Sequence, residues 1–96
     1  MLPFKVAILD YAMDHRNEAF SSESIMEGMK NSPYAKESQF SKARVEAYCD
    51  EFAQCGFFIK DNVKILNDGT LDITYRITDY AVARANRFIP GRKKKQ

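Results

Sequence analysis

Residues 40–78 read FSKARVEAYCDEFAQCGFFIKDNVKILNDGTLDITYRIT, and this stretch decides the fold. Its first part has apolar residues at the spacing i, i+4, i+7, which puts them on one face of a helix: Val45, Cys49 and Phe52. Gly56 comes just after the last turn, where a left-handed cap favours a residue without a β-carbon. The pattern therefore predicts a helix over about residues 39–55.

The second part of the stretch predicts a two-stranded hairpin. Apolar and polar residues alternate over Leu71–Ile77, as expected for a strand with one buried face. A first strand is expected over residues 58–64, with an interruption at residues 61–62, which are Asp and Asn. The Asp68-Gly69 pair between the two strands supplies the positive φ that a tight turn requires.

Two helices are predicted before this stretch. The first covers residues 3–15 and has one apolar stripe: Phe4, Ala7, Ile8, Tyr11 and Ala12. The second begins at a serine cap, either Ser21 or Ser22, and stops before Pro33 because the residue preceding a proline disfavours the helical conformation. Residues 34–39 are expected to form the turn into the central helix.

A last helix is predicted after the hairpin. Thr78 and Asp79 form a suitable N-terminal cap, and Pro90-Gly91 ends the helix. One face of this helix is apolar: Ala81, Ala85 and Phe88. The order of elements predicts an α+β, mostly helical fold in a single domain over residues 1–91. Residues 92–96 are expected to be a basic disordered tail.

The composition is that of a small soluble domain with one core. The chain has 96 residues, of which 45% are hydrophobic and 29% are charged. No apolar run approaches the length of a membrane span. The N-terminus has no basic segment followed by a long apolar one, so we expect no secretory signal and a cytoplasmic location.

The sequence predicts neither a metal site nor a catalytic set. Cys49 and Cys55 lie well apart around one helix and cannot bridge each other there, so Cys49 is interpreted as a small core residue. His15 ends the first helix, where a cation favours the helix dipole. Two thiols and one histidine do not make a metal set, and no glycine-rich phosphate loop is present. We therefore expect no cofactor and no enzyme.

Four segments resemble a known family: Val45 to Phe52, Cys55-Gly56-Phe57-Phe58, Asn67-Asp68-Gly69 and Tyr75-Arg76-Ile77-Thr78-Asp79-Tyr80. They resemble the winged helix-turn-helix domains of small prokaryotic and phage transcription regulators. The resemblance implies three helices, a two- to three-stranded wing and a C-terminal helix. It also implies a regulator that binds duplex DNA, with a recognition helix at about 39–55 in the major groove and the wing, residues 58–77, on the backbone. Such proteins are often dimers, and a homodimer through the first and last helices is one arrangement for this chain.

Residues near the start of a recognition helix reach the base edges, which in this chain selects Gln39, Lys42, Ala43, Arg44 and Ala47. Lysine and arginine read guanine, and glutamine reads adenine. Phosphates would be held by the positive groups of the wing: Lys60, Lys64 and Arg76. A solvated helix surface explains Lys42 and Arg44 equally well, and an ordinary exposed sheet explains the wing cations slightly better.

The charge distribution supports an alternative function. The formal net charge is +2, but residues 92–95 contribute four cations, so that the rest of the chain sums to about −2. The second half of the central helix carries Glu46, Asp50 and Glu51, and the first two are expected on its outward face, where they would repel phosphate. The alternative is a winged-helix module or adaptor subunit that binds a protein and not DNA.

Overall fold

The computed structural model describes residues 1–91, in which the four predicted helices and the hairpin occur in the predicted order, together with a short strand and a 3-10 helix that were not predicted. They are α1 (Phe4–Asp14), β1 (Phe20–Ser21), α2 (Ser22–Met29), a short 3-10 helix (Pro33–Lys36), α3 (Lys42–Gln54), β2 (Phe58–Ile65), β3 (Leu71–Ile77) and α4 (Asp79–Phe88). The strands form an antiparallel sheet in the order β1-β3-β2. The described part of the chain is thus an α+β fold with four α-helices and a three-stranded sheet. The predicted tail, residues 92–96, lies outside the described residues.

Serine and threonine side chains define where three helices begin. Ser21 caps α2, because its Oγ accepts the Ser24 N–H at 3.2 Å while Ser24 Oγ accepts the Ser21 N–H at 3.1 Å. Ser24 thus takes the place of the glutamate that usually completes this reciprocal cap. Ser41 caps α3, and Thr78 caps α4. The central helix therefore begins at Lys42 rather than at the predicted position 39.

The predicted hairpin is confirmed as β2 and β3. Lys60 pairs with Tyr75 and Asn62 pairs with Thr74, so that Asp61 is left over as a β-bulge. The interruption expected at residues 61–62 is therefore a local shift of register within one continuous strand. The bulge lets the apolar side chains on both sides of it remain on the same face of the sheet.

The turn between the two strands has the predicted chemistry. Gly69 has φ of 86°, a conformation that a side chain would strain. Asp68 Oδ1 accepts the N–H of Thr70 at 3.0 Å, which closes the turn on the side of β3. The hydrogen bond that the Thr70 hydroxyl donates to the same oxygen at 2.7 Å, and next the backbone bond, lower the pKa of the Asp68 carboxyl.

An aromatic cluster joins the sheet to the helices. Phe58 lies at its centre, with its ring centroid 5.0 Å from that of Phe20 and 5.0 Å from that of Phe52. Tyr75 completes the cluster at 6.1 Å from Phe58. Aromatic pairs at these distances contribute both apolar burial and favourable ring contacts. The cluster fixes the start of the hairpin against α3.

The first and last helices pack together over a buried face. Six residues of α1 are buried, a broader face than the predicted stripe: Phe4, Ala7, Ile8, Leu9, Ala12 and Met13. Tyr11 is only half-buried. In α4 the buried residues are Ala81 and Ala85. The expectation for Phe88 is wrong, because the helix ends there and Ile89 takes the buried position in an extended conformation.

Candidate nucleic-acid interface

An open groove lies at the start of α3. Its volume is about 680 Å³. It is lined by the loop before the helix and by the first turns of the helix: Glu37, Ser38, Gln39, Ser41, Ala43, Arg44, Ala47 and Tyr48. Four of the five residues predicted to read bases therefore meet at one surface, and Lys42 does not line it. We call this surface the α3 groove.

Gln39 lies in the α3 groove, but not on a helix as predicted. Because Ser41 caps α3, Gln39 belongs to the loop before it. Its Nε2 donates to Glu37 Oε1 at 2.6 Å, and its Oε1 accepts the Tyr48 hydroxyl at 2.8 Å. Both ends of the amide are therefore already engaged. Bidentate contact with adenine would require the side chain to exchange these two partners for the base.

Arg44 is the cation that belongs to the α3 groove. It lies in the first turn of α3, where its own N–H donates to the Ser41 cap at 3.2 Å. Its guanidinium group lies 5.9 Å from the centroid of the Tyr48 ring, an arrangement that favours a cation–π contact. The Tyr48 ring is itself supported from below by Phe4, at 6.1 Å. An exposed guanidinium on a well-packed aromatic ring is a suitable donor to a base edge or a phosphate.

Lys42 points to the other side of α3. Residues two positions apart in a helix differ by about 200° around its axis, so Lys42 and Arg44 cannot share one face. The Lys42 Nζ lies 2.9 Å from Glu23 Oε2, at the start of α2. This hydrogen bond lowers the pKa of the Glu23 carboxyl and raises the pKa of the Lys42 ammonium group. Lys42 therefore joins α3 to α2.

Two of the three cations predicted for the hairpin also have carboxylate partners. Arg76 Nε donates to Asp61 Oδ1 at 2.9 Å, which ties the bulge of β2 to β3. Lys60 Nζ lies 3.9 Å from Asp50 Oδ1 on α3. Lys64 is opposite Asp72 in the strand pairing but forms no ion pair with any residue of 1–91. The three cations are exposed, and Lys64 is the most available of them.

The acidic flank of α3 has a structural role that the sequence analysis did not predict. Glu46 and Asp50 were expected to face outward, but both are half-buried. Asp50 accepts the Tyr75 hydroxyl at 2.9 Å, and Glu46 accepts the Ser22 hydroxyl at 3.4 Å. Burial of the phenol, and next the Asp50 carboxylate, raise the pKa of Tyr75. These two acids therefore hold the sheet and α2 against α3, and they are directed away from the α3 groove.

The remaining candidate groups are the two cysteines and His15. Cys49 is fully buried, which raises the pKa of its thiol to about 12, whereas Cys55 is exposed at the end of α3. His15 stacks on Tyr11 with ring centroids 4.1 Å apart and has Nδ1 2.9 Å from Glu18 Oε1. In residues 1–91, no cluster of His, Cys, Asp and Glu side chains is suited to hold a metal ion. The same residues contain no helix long and apolar enough to cross a membrane.

The distal half of the hairpin carries an apolar surface that the sequence analysis missed. Val63 is opposite Ile73, and Ile65 is opposite Leu71, so that the four side chains share one face of the sheet. Exposure is 49% for Val63, 77% for Ile65 and 46% for Leu71. We call these four residues the apolar hairpin face. The apolar residues of this face are visible in the sequence, but only the structure shows that no element of residues 1–91 covers them.

Comparison with known proteins identifies a shared fold. No protein-family model and no curated protein matches the sequence. The crystal structure of a protein named putative transcriptional regulator, from Thermoplasma acidophilum, superimposes with a TM-score of 0.61 over 88% of this chain and 81% of that one. The two sequences are 14% identical. At that identity the likeness is one of fold, and function has to be argued from the surface.

Proposed function

We propose that this chain is a winged helix-turn-helix domain that binds duplex DNA as a transcription regulator. In this proposal α2, the 3-10 turn and α3 are the helix-turn-helix, and β2 and β3 are the wing. The first turns of α3 enter the major groove, and the wing lies along the backbone. The order of the elements, the position of the hairpin beside α3 and the fold shared with a protein named as a regulator support it.

The observation that carries the proposal is the α3 groove. It combines a guanidinium donor, a glutamine amide and two small side chains at the start of one helix. The alanines, Ala43 and Ala47, allow a close approach of the helix backbone to a base pair. Arg44 is then the residue that donates to guanine, and Gln39 is the residue that contacts adenine after exchanging its partners.

The ion pairs of Lys60 and Arg76 set the free-energy cost of binding a phosphate at the wing. An exposed ion pair contributes only about 0–1 kcal/mol, so a phosphate oxygen replaces the carboxylate partner with a small net loss. Each phosphate neutralised in this way releases counterions and adds about 0.9 to the slope of log K against log salt concentration. We therefore expect weak binding of random duplex at low salt that declines steeply between about 50 and 200 mM salt.

The test compares Arg44→Ala with Arg16→Ala. Arg16 is an exposed arginine after α1, outside the α3 groove, so the two variants lose the same charge. Fluorescence anisotropy against a pool of genomic duplexes should show weaker binding of Arg44→Ala by about 1–3 kcal/mol and a relaxed sequence preference. Arg16→Ala should behave as the unchanged protein does. Equal affinity and preference for both variants would exclude Arg44 as a reader.

A second candidate function is a protein-interaction module, which the apolar hairpin face favours. Exposed aliphatic residues on adjacent strands often mark a site that another protein covers. An electrophoretic shift with random duplex at low salt separates the two candidates. Absence of any shift, together with self-association that is lost in Ile65→Thr/Leu71→Thr, would support the protein-binding function over the DNA-binding one.

A further inference from the structure

The outward side of α4 carries two exposed arginines, Arg84 and Arg87. Ala81 and Ala85 bury the opposite side of the helix in the core. Six residues of α4 are exposed, and four of them lie at spacings of three and four that align them along the helix: Tyr80, Arg84, Arg87 and Phe88. Tyr80 is 51% exposed and Phe88 is 50% exposed. We call these four residues the α4 stripe.

The charges of the chain are strongly segregated around this helix. Residues 80–96 contain six of the fifteen Lys and Arg residues and none of the thirteen Asp and Glu residues. Residues 1–79 contain the nine remaining cations and all of the acids. The net charge of +2 is therefore the sum of an acidic body and a basic C-terminal segment, of which α4 is the described part.

The two arginines of the α4 stripe differ from the cations near α3. Arg84 and Arg87 form no ion pair with any residue of 1–91, whereas Lys42 and Arg76 each have a carboxylate partner at 2.9 Å. The Arg84 guanidinium instead lies 4.7 Å from the centroid of the Tyr80 ring. That contact orients the planar group without neutralising it. Binding an anion at Arg84 and Arg87 therefore breaks no ion pair within residues 1–91.

The charge also decides what kind of partner fits the α4 stripe. A two-fold contact between copies of α4 would apply the same surface patch of both copies to each other, so that all four arginines would lie together. Asp79, at the first position of α4, is the only exposed acid of the helix, so the arginines would outnumber the acids, and like charges at close range are unfavourable. The stripe therefore fits an anionic partner better than it fits itself.

We infer that the α4 stripe is a second nucleic-acid contact, which binds the sugar-phosphate backbone outside the segment read by the α3 groove. Arg84 and Arg87 donate to phosphate oxygens, and Tyr80 and Phe88 pack against the sugars beside them. This inference rests on the proposed function. Tyr80 contacts Phe57 at 5.7 Å, just after the C-terminal end of α3. A helix of 13 residues is about 20 Å long, so the α4 stripe and the α3 groove lie roughly 20 Å apart, near opposite ends of α3.

The experiment measures the salt dependence of binding for Arg84→Ala/Arg87→Ala. Alanine preserves the helix, and both side chains are exposed, so the variant should fold, as circular dichroism would verify. Anisotropy with a random duplex of 30 base pairs is recorded between 50 and 200 mM salt. If two phosphate contacts are lost, the slope of log K against log salt concentration should fall by about 1.8. The charge-matched control, Arg16→Ala/Lys30→Ala, should keep the slope of the unchanged protein.

The outcomes separate this inference from the proposed function. Binding that is weakened by Arg44→Ala but has an unchanged slope in Arg84→Ala/Arg87→Ala would overturn the α4 contact and leave the DNA-binding proposal in place. No binding by the unchanged protein at 50 mM salt would overturn both. A change of oligomeric state in Arg84→Ala/Arg87→Ala with an unchanged slope would assign the stripe to a protein partner and would also overturn the inference.

Discussion

The base and the distal half of the β2–β3 hairpin both place apolar residues on the same face of the sheet, but their surroundings are opposite. At the base, Phe58 pairs with Ile77, and both side chains are buried. In the distal half, Ile65 pairs with Leu71, and both are exposed on the same face of the sheet. Alternation therefore specifies a strand and its two faces, but the helices behind the sheet decide whether a face is covered.

The strongest test of this comparison truncates one residue in each half. Phe58→Ala removes the centre of the aromatic cluster and should lower the free energy of unfolding by about 3–5 kcal/mol. Ile65→Ala, the matched truncation in the same strand, should change it by less than about 0.5 kcal/mol. Urea denaturation of the two variants measures both values. Similar losses would mean that the two halves are equally packed in solution.

A smaller loss of stability is expected from removing the Tyr75 hydroxyl, which joins the base of the hairpin to α3. Tyr75→Phe removes the hydrogen bond to Asp50 and leaves a half-buried carboxylate with Lys60 at 3.9 Å. Hydrogen bonds to charged groups contribute roughly 1.5–3 kcal/mol, so a loss in this range should appear in urea denaturation at neutral pH. Tyr80→Phe, which removes the same group from an exposed ring, should be close to neutral. An unchanged free energy of unfolding in Tyr75→Phe would show that the hydrogen bond to Asp50 does not stabilise the fold.

Alkaline pH should lower the free energy of unfolding through the buried Cys49 thiol of α3. Burial raises the pKa of Cys49 to about 12 from the ordinary value of 9.0, so the unfolded chain loses this proton before the folded one. The free energy of unfolding should fall as pH rises above about 9, by up to about 1.4 kcal/mol for each pH unit. The raised pKa of Tyr75 acts in the same direction at higher pH. Denaturation curves recorded from pH 8 to pH 10.5 should be less steeply pH-dependent in Cys49→Ala, and an equal dependence in that variant would exclude Cys49 as the cause.

The smallest change in the free energy of unfolding is expected from substitutions in the distal half of the hairpin. Ile65→Thr/Leu71→Thr replaces two exposed apolar residues with a polar, β-branched one that suits a strand. The free energy of unfolding should change by no more than about 0.5 kcal/mol in chemical denaturation of the dilute protein. A concentration-dependent loss of stability in this variant relative to the unchanged protein would instead mean that a second copy covers the apolar hairpin face.

The same contrast between pattern and surroundings applies to the charged groups. Lys42 and Arg44 are two residues apart and look equivalent in sequence, yet Lys42 is bound to Glu23 and Arg44 lies in the α3 groove. The proposed reading surface therefore depends on Arg44 more than on Lys42. No function was assigned to Arg84 and Arg87 from the sequence. The structure distinguishes them as available cations because they have no carboxylate partner within residues 1–91.

Most of the secondary structure was predictable because its causes are local. The hairpin follows from alternation and from a glycine at the turn, and the helix starts follow from serine and threonine caps. The boundary of α3 was misplaced because Gln39 is compatible with a helix by composition, whereas the Ser41 side chain sets the first turn. The reciprocal cap of α2 was missed because a serine, and not a glutamate, supplies its second half.

The order of the elements, the acidic body and the basic C-terminal segment were determined by the sequence alone, because backbone preferences and charge do not depend on distant contacts. The tertiary structure decided which charges remain available and which apolar faces are covered. Asp50 was expected on the surface, but it binds Tyr75, which is 25 positions away in the chain. Such pairings depend on how the helices and the sheet pack, and a residue's neighbours along the chain cannot specify them.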